Sequence, residues 1–157
     1  MVHLEELNKY NVWDVLDLTV KKEQERFLAS NEWSLVHAYV GNKTEGAVYP
    51  FGIFDDDKAV GFLMIAYDYG EVCNDPDAPE IARNNYFLWR LMIDEEEQGK
   101  GYGRKAVELA LEFVKTFPTA KRITAGFAMT RTTRSQGSYI FPWDLWRSAN
   151  RMMISTR

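Results

Sequence analysis

The run YFLWRLMIDEEEQGKGYGRKAVELALEF, residues 86–113, constrains the fold more than any other stretch of the chain. Tyr86 to Ile93 is almost continuously apolar and bulky, the pattern of a strand covered on both faces. It stops at Asp94 and three glutamates, after which Gly99, Gly101 and Gly103 lead into an amphipathic helix from about Gly101 to Thr116. Ala106, Val107, Ala110, Leu111 and Val114 share one face of that helix, with Arg104, Lys105, Glu108 and Glu112 off it, and Pro118 ends it. A buried strand delivered into a helix through a glycine turn calls for an α/β fold, a mixed central sheet flanked by helices.

The remaining segments fit around this unit. After a short apolar start, Val2 to Leu7, Asn11 reads as the cap of a helix reaching Ser30, with Val12, Val15, Leu16, Leu18, Phe27 and Leu28 at roughly helical spacing. A second helix begins at Ser30 or Asn31 and is expected to stop at Gly41. Val48 to Phe54 and Ala59 to Tyr69 read as a hairpin turning at Asp55-Asp56-Asp57-Lys58, followed by a loop at residues 70–85 and a short strand in KRITAGF. The order is helix, helix, hairpin, loop, strand, glycine turn, helix, strand, in one domain of 157 residues.

Composition removes several functional classes. No apolar run reaches the ~18 residues of a membrane span, and MVHLEELNKY lacks the features of a secretory leader. Cys73 is the single cysteine and His3 and His37 the only histidines, so there is no intrachain disulfide and no zinc-ligand spacing; a reducing cytoplasm is the expected setting. Residues 1–127 carry net charge −8, which disfavours nucleic acid and favours cationic small molecules.

Unpaired N–H groups and partial positive charge at a helix N-terminus, approached through glycines without Cβ atoms, make a cradle for phosphate. The phosphate-binding loop signature Gly-x-x-x-x-Gly-Lys-Ser/Thr is absent, and no Gly-x-Gly-x-x-Gly opens an early βαβ unit. What Gln98-Gly99-Lys100-Gly101-Tyr102-Gly103 does match is Gln/Arg-x-x-Gly-x-Gly/Ala. With RLMIDEEE before it and the order of elements around it, the chain resembles the GNAT family of N-acetyltransferases over residues 1–127. VKKEQERFLASNEWSL, GFLMIAYD and RLMIDEEEQGKGYG look like the bacterial diamine and spermidine/spermine acetyltransferases.

The resemblance implies acetyl-CoA as cosubstrate and a small-molecule primary amine, a polyamine or diamine by preference, as acceptor. It implies that the amides of Gln98, Gly99, Gly101 and Gly103, with Lys100, Tyr102 and Arg104 beside them, hold the pyrophosphate. The main chain of Leu91, Met92 and Ile93 would pair with the pantetheine arm. Lys100 and Arg104 read equally as solvated helix charges. Relatives often carry a glutamate base on the strand before the glycine turn, where this chain has Trp89-Arg90. Glu32 is the candidate for contacting the amine, and it also reads as a first-turn carboxylate favoured by the helix dipole. Asp55, Asp56 and Asp57 read either as bait for a polycation or as a solvated turn.

Residues 128–157 break the pattern. They contain five arginines, Asp144, and no lysine or glutamate, where the family has a helix and strands of the type Ala-x-x-Leu-Tyr-x-x-Leu-Gly-Phe carrying an acid tyrosine. Starting each codon at the third base of the preceding one forces Asp from Met129-Thr130, Gly from Trp143-Asp144, and Asp from both Met152-Met153 and Met153-Ile154. With permitted codons the tail becomes DEDNEVARKLYLSLGFVEVGESDDDIY, the missing ending. A frameshift near codons 127–129 is therefore expected to have replaced the C-terminal helix and strands, and Tyr139 lies near the acid tyrosine only by count. Sheet edges left open by that loss favour homodimers or strand exchange. Beside the acetyltransferase stand a catalytically impaired acyl-CoA-binding protein of the same fold and a domain whose glycine turn binds nothing.

Overall fold

The computed structural model describes residues 1–26, 28–43, 47–68, 84–117 and 123–124. One sheet contains β1 (Val2–Glu6), β2 (Ala47–Asp55), β3 (Lys58–Tyr67), β4 (Tyr86–Ile93) and β5 (Ile123–Thr124), in that spatial order. β1 to β4 are antiparallel neighbours and β5 runs parallel to β4. The helices are α1 (Val12–Leu16), α2 (Lys22–Glu25), α3 (Asn31–Lys43) and α4 (Tyr102–Lys115). This is the mixed sheet flanked by helices that the sequence calls for.

Each face of the sheet buries its own core. Phe51, Ile53, Val60, Leu63, Ile65 and Tyr86 pack with Ala106, Ala110 and Val114 of α4. On the other face Val48, Phe54, Phe62, Met64, Ala66 and Met92 pack with Val15 of α1 and Ala38 of α3. Fully burying one such Phe, Ile or Leu contributes about 1.5–3 kcal/mol, so the double-sided strands β3 and β4 anchor the fold.

Several local expectations change. The apolar start is the strand β1, at one edge of the sheet among the described residues and paired with β2 from Val2–Asp55 to Glu6–Phe51. The single helix expected over residues 11–30 is two short ones, because Thr19 between them bonds outside any helix. Its N–H donates to Asp94 Oδ2 at 3.1 Å, and its carbonyl accepts from Glu95 N at 2.8 Å. Asn11 is the N-cap residue of α1 as expected, but its side chain makes no capping bond: its carboxamide accepts from Asn8 N and donates to Glu5 Oε2 and Glu6 O. Ser30 does serve α3, accepting from Trp33 N at 3.2 Å, but the helix continues through a buried Gly41 to Lys43. Asn42 then starts β2 by bonding both Val48 N and Val48 O.

The hairpin turns at Asp56-Asp57, with Asp56 at φ 50°. In β4 the register against β3 passes from Met64–Arg90 to Ile65–Leu88, leaving Trp89 as an extra residue. This bulge puts Trp89 and Arg90 on the same face, toward α1 and α3, while Leu91 and Ile93 turn toward α4. Residues 70–83 of the loop expected at 70–85, Tyr139 and the tail lie outside the described residues.

Candidate active site

The glycine turn follows β4 and opens α4, as the sequence indicates. Gly101 is the N-cap of α4 at φ 91°, and Gly99 lies at φ 82°, both in the left-handed region that favours glycine. A Cβ built on either would meet nothing within 4 Å, so the turn is open to solvent and not a place where packing excludes side chains. Among the described residues the backbone N–H groups from Gly99 to Arg104 make no backbone hydrogen bond. These donors and the dipole of a helix 14 residues long converge on one exposed surface.

The turn is tied down on two sides. Gln98 Nε2 donates to Ile93 O at 3.1 Å and to Gln24 Oε1 at 2.8 Å, joining the end of β4 to α2. Asp94 N donates to Val60 O at 3.0 Å, and Tyr102 OH donates to Asp55 Oδ2 at 2.8 Å, joining the turn to the hairpin. Asp55 also pairs with the Met1 ammonium at 3.1 Å, and the Tyr102 hydroxyl and that ammonium hold its carboxyl below the usual range. Asp56 pairs with the same ammonium. Tyr102 therefore turns its hydroxyl to the hairpin, leaving its backbone N–H for the cradle.

The two candidate cations differ. Arg104 is exposed and has no partner among the described residues. Lys100 is bound to Glu97 Oε2 at 2.9 Å, while Lys58 holds Glu97 Oε1 at 2.8 Å. Glu97 is only 6% exposed, and hydrogen bonds from Lys58 and then Lys100 lower its pKa. Sequence reasoning missed this arrangement, since Glu95, Glu96 and Glu97 look alike and only the last turns inward.

Leu91 to Ile93 form the far end of β4, beyond the described ladder to β5, which covers Tyr86 and Phe87. Gly61 faces them across β3, where a Cβ would lie 2.5 Å from Met92 O. Arg90 occupies the face opposite α4. It is 8% exposed, its Nη2 donates to Asn31 Oδ1 at 2.8 Å, and its Nε has no acceptor among the described residues. Burial pushes its pKa down to about 10, which the Glu32 charge partly opposes. Arg90 thus stays a cation at neutral pH and cannot serve as a base there. Glu32 is exposed at the start of α3, its pKa lowered by its own backbone N–H, the Ser30 hydroxyl and the charge of Arg90. His37 stacks on Trp89 at 5.7 Å and lies 5.0 Å from Trp33, an aromatic border to this face that the sequence did not reveal.

A strand with a bulge, an open left-handed glycine turn and the start of a long helix follow one another on one mixed sheet. The model of the Acetyltransferase (GNAT) family matches residues 9–139, so the chain belongs to the GNAT acetyltransferase family and is an acetyltransferase enzyme on that ground. That match passes the end of the expected resemblance and includes Tyr139. No curated protein sequence matches the chain.

The solved structures that share the fold include the following three. The aminoglycoside antibiotic 6'-N-acetyltransferase from Acinetobacter haemolyticus is 12% identical, with TM-score 0.54 over 99% of this chain and 90% of its own. An acetyltransferase from Thermus thermophilus is 20% identical, with TM-score 0.52 over 80% of this chain and 75% of its own. An integron cassette protein from the mobile metagenome of V. cholerae is 15% identical, with TM-score 0.51 over 96% and 98%. Among the described residues no helix is long and apolar enough to cross a membrane.

Proposed function

We propose that the protein transfers the acetyl group of acetyl-CoA to a primary amine of a small molecule, a polyamine or diamine by preference. The observation that carries this reading is the pair of left-handed glycines, Gly99 and Gly101, open to solvent ahead of α4. The amides of Gln98, Gly99, Gly101 and Gly103 receive the pyrophosphate, with Lys100 and Arg104 supplying charge, and the main chain of Leu91, Met92 and Ile93 aligns the pantetheine arm. When bound, acetyl-CoA supplies an activated acyl carbon. The acceptor nitrogen bonds to that carbon as the C–S bond breaks, and the proton lost by the amine leaves the thiol protonated.

The net charge of −8 over residues 1–127 supports a cationic acceptor. Glu32, with its lowered pKa, suits an ion pair to an ammonium better than proton abstraction. We place the acetyltransferase domain at residues 1–127 and regard residues 128–157 as an out-of-frame ending. Tyr139 is then a candidate acid by position alone, and a catalytically impaired acyl-CoA-binding protein is the second reading. Its support is Arg90, a buried cation where relatives often carry a glutamate. A cytoplasmic homodimer completes the proposal.

Calorimetric titration with acetyl-CoA, followed by thiol release on adding spermidine, tests the function. Binding with turnover supports the transferase, binding without turnover the impaired form, and no binding removes both. Sequencing the coding DNA tests the ending; absence of LYLSLGF from every other frame defeats the frameshift.

A further inference from the structure

Glu97 is a buried carboxylate with two ammonium partners, and its two tethers are unequal. Lys58 belongs to the first pair of the β2–β3 ladder, opposite Asp55, so its backbone is fixed by the sheet. Lys100 stands between two left-handed glycines on the exposed turn; both lysine side chains are more than half exposed, so the tethers differ in their backbone and not in their exposure. A carboxylate removed from water is costly to leave without a partner. With one partner it would grip that lysine hard; with two it can lose one and remain paired.

We propose that Glu97 holds Lys100 in the ligand-free protein and yields it to the pyrophosphate on binding, while Lys58 keeps the carboxylate paired. This rests on the assignment of the glycine turn to acetyl-CoA. A pyrophosphate against the amides of Gly99 to Gly103 carries more negative charge than one carboxylate, and it lies beside the residue that bears the ammonium. Lys58, which touches no ligand in this arrangement, becomes a determinant of affinity. The exchange breaks no covalent bond and moves no proton.

The roles predict a pattern of signs that a rigid brace would not produce. Lys58→Met leaves Glu97 dependent on Lys100, and acetyl-CoA affinity falls about threefold to tenfold. Glu97→Gln releases Lys100, and affinity equals or exceeds that of the wild type. The double variant Lys58→Met/Glu97→Gln returns to within about twofold of wild type. Lys58→Arg keeps wild-type affinity.

The experiment is calorimetric titration of the full chain and these variants with acetyl-CoA, repeated with inorganic pyrophosphate, which should follow the same order. Recovery in the double variant also shows that the fold survives both changes. If Glu97→Gln weakens binding as much as Lys58→Met and the double variant does not recover, Glu97 is a fixed brace and the exchange is wrong. If the wild type binds acetyl-CoA and Lys58→Met leaves affinity unchanged, the exchange alone falls. If the wild type binds neither ligand, the assignment of the turn falls first.

Discussion

Arg90 Nη2 donates to Asn31 Oδ1 at 2.8 Å, joining the bulge of β4 to the first residue of α3. The same carboxamide donates through Nδ2 to Val15 O at 2.8 Å and Leu18 O at 3.4 Å, so one side chain fastens α1, α3 and β4 together. Replacing Asn31 by Ala removes the acceptor of a buried guanidinium and a donor to the end of α1. We expect a loss of about 2–3 kcal/mol, read as a lower midpoint in urea denaturation with an unchanged slope. A midpoint within error of the wild type would show that solvent replaces Asn31 at no cost.

Gly61 allows β3 to approach β4. In Gly61→Ala the new methyl would stand 2.5 Å from Met92 O and 2.9 Å from both Ile53 Cδ1 and Ile93 Cδ1. Backbone cannot yield as a side-chain tip does, so destabilisation of about 2–3 kcal/mol is expected. The displacement falls on Met92 and Ile93, and acetyl-CoA affinity should drop in the fraction that folds. Thermal unfolding and titration on one preparation measure both effects.

Gly99→Ala and Gly101→Ala differ from that case. Neither meets an atom within 4 Å, so the folding cost is the left-handed backbone alone, about 1–2 kcal/mol. Each methyl nevertheless stands on the turn assigned to the pyrophosphate. Loss of acetyl-CoA affinity by about tenfold or more, with a melting temperature only a few degrees lower, is the expected signature. Undiminished affinity in both variants would remove the cradle.

The pH response follows from Glu97. Its folded pKa lies below the ordinary value, because Lys58 and Lys100 stabilise the charged form. A depressed carboxyl contributes stability that is complete above the unfolded value, about 4.3, and disappears as pH falls through the lower folded value. Wild-type protein should therefore melt above Glu97→Gln at neutral pH, and the two curves should converge below about pH 4. A constant gap down to about pH 3 would mean that another group sets the acid limit.

Strand β4, the glycine turn and α4 were legible because their signals are local: a bulky run, three glycines and an apolar stripe that lies on Ala106, Ala110 and Val114. The break between α1 and α2 was not, since its cause, the bond from Thr19 N to Asp94, reaches across 75 positions. Glu97 was hidden for the same reason; its partner Lys58 precedes it by 39 positions, and nothing in the glutamate run marks which one turns inward. Arg90 was visible as a lone charge in an apolar strand, but its partner Asn31 is 59 positions away. Leu91 and Ile93 could be assigned to a buried strand, yet only the bulge at Trp89 decides which face they take.

That bulge makes β4 two strands of opposite parity spliced at one residue. Before Trp89 the even-numbered Tyr86 and Leu88 look toward α4, and after it the odd-numbered Leu91 and Ile93 do. A graft of residues 91–104 into a related scaffold will succeed or fail on whether the splice travels with it. Without it, a segment of matched length would turn Leu91 and Ile93 away from α4 and Met92 toward it.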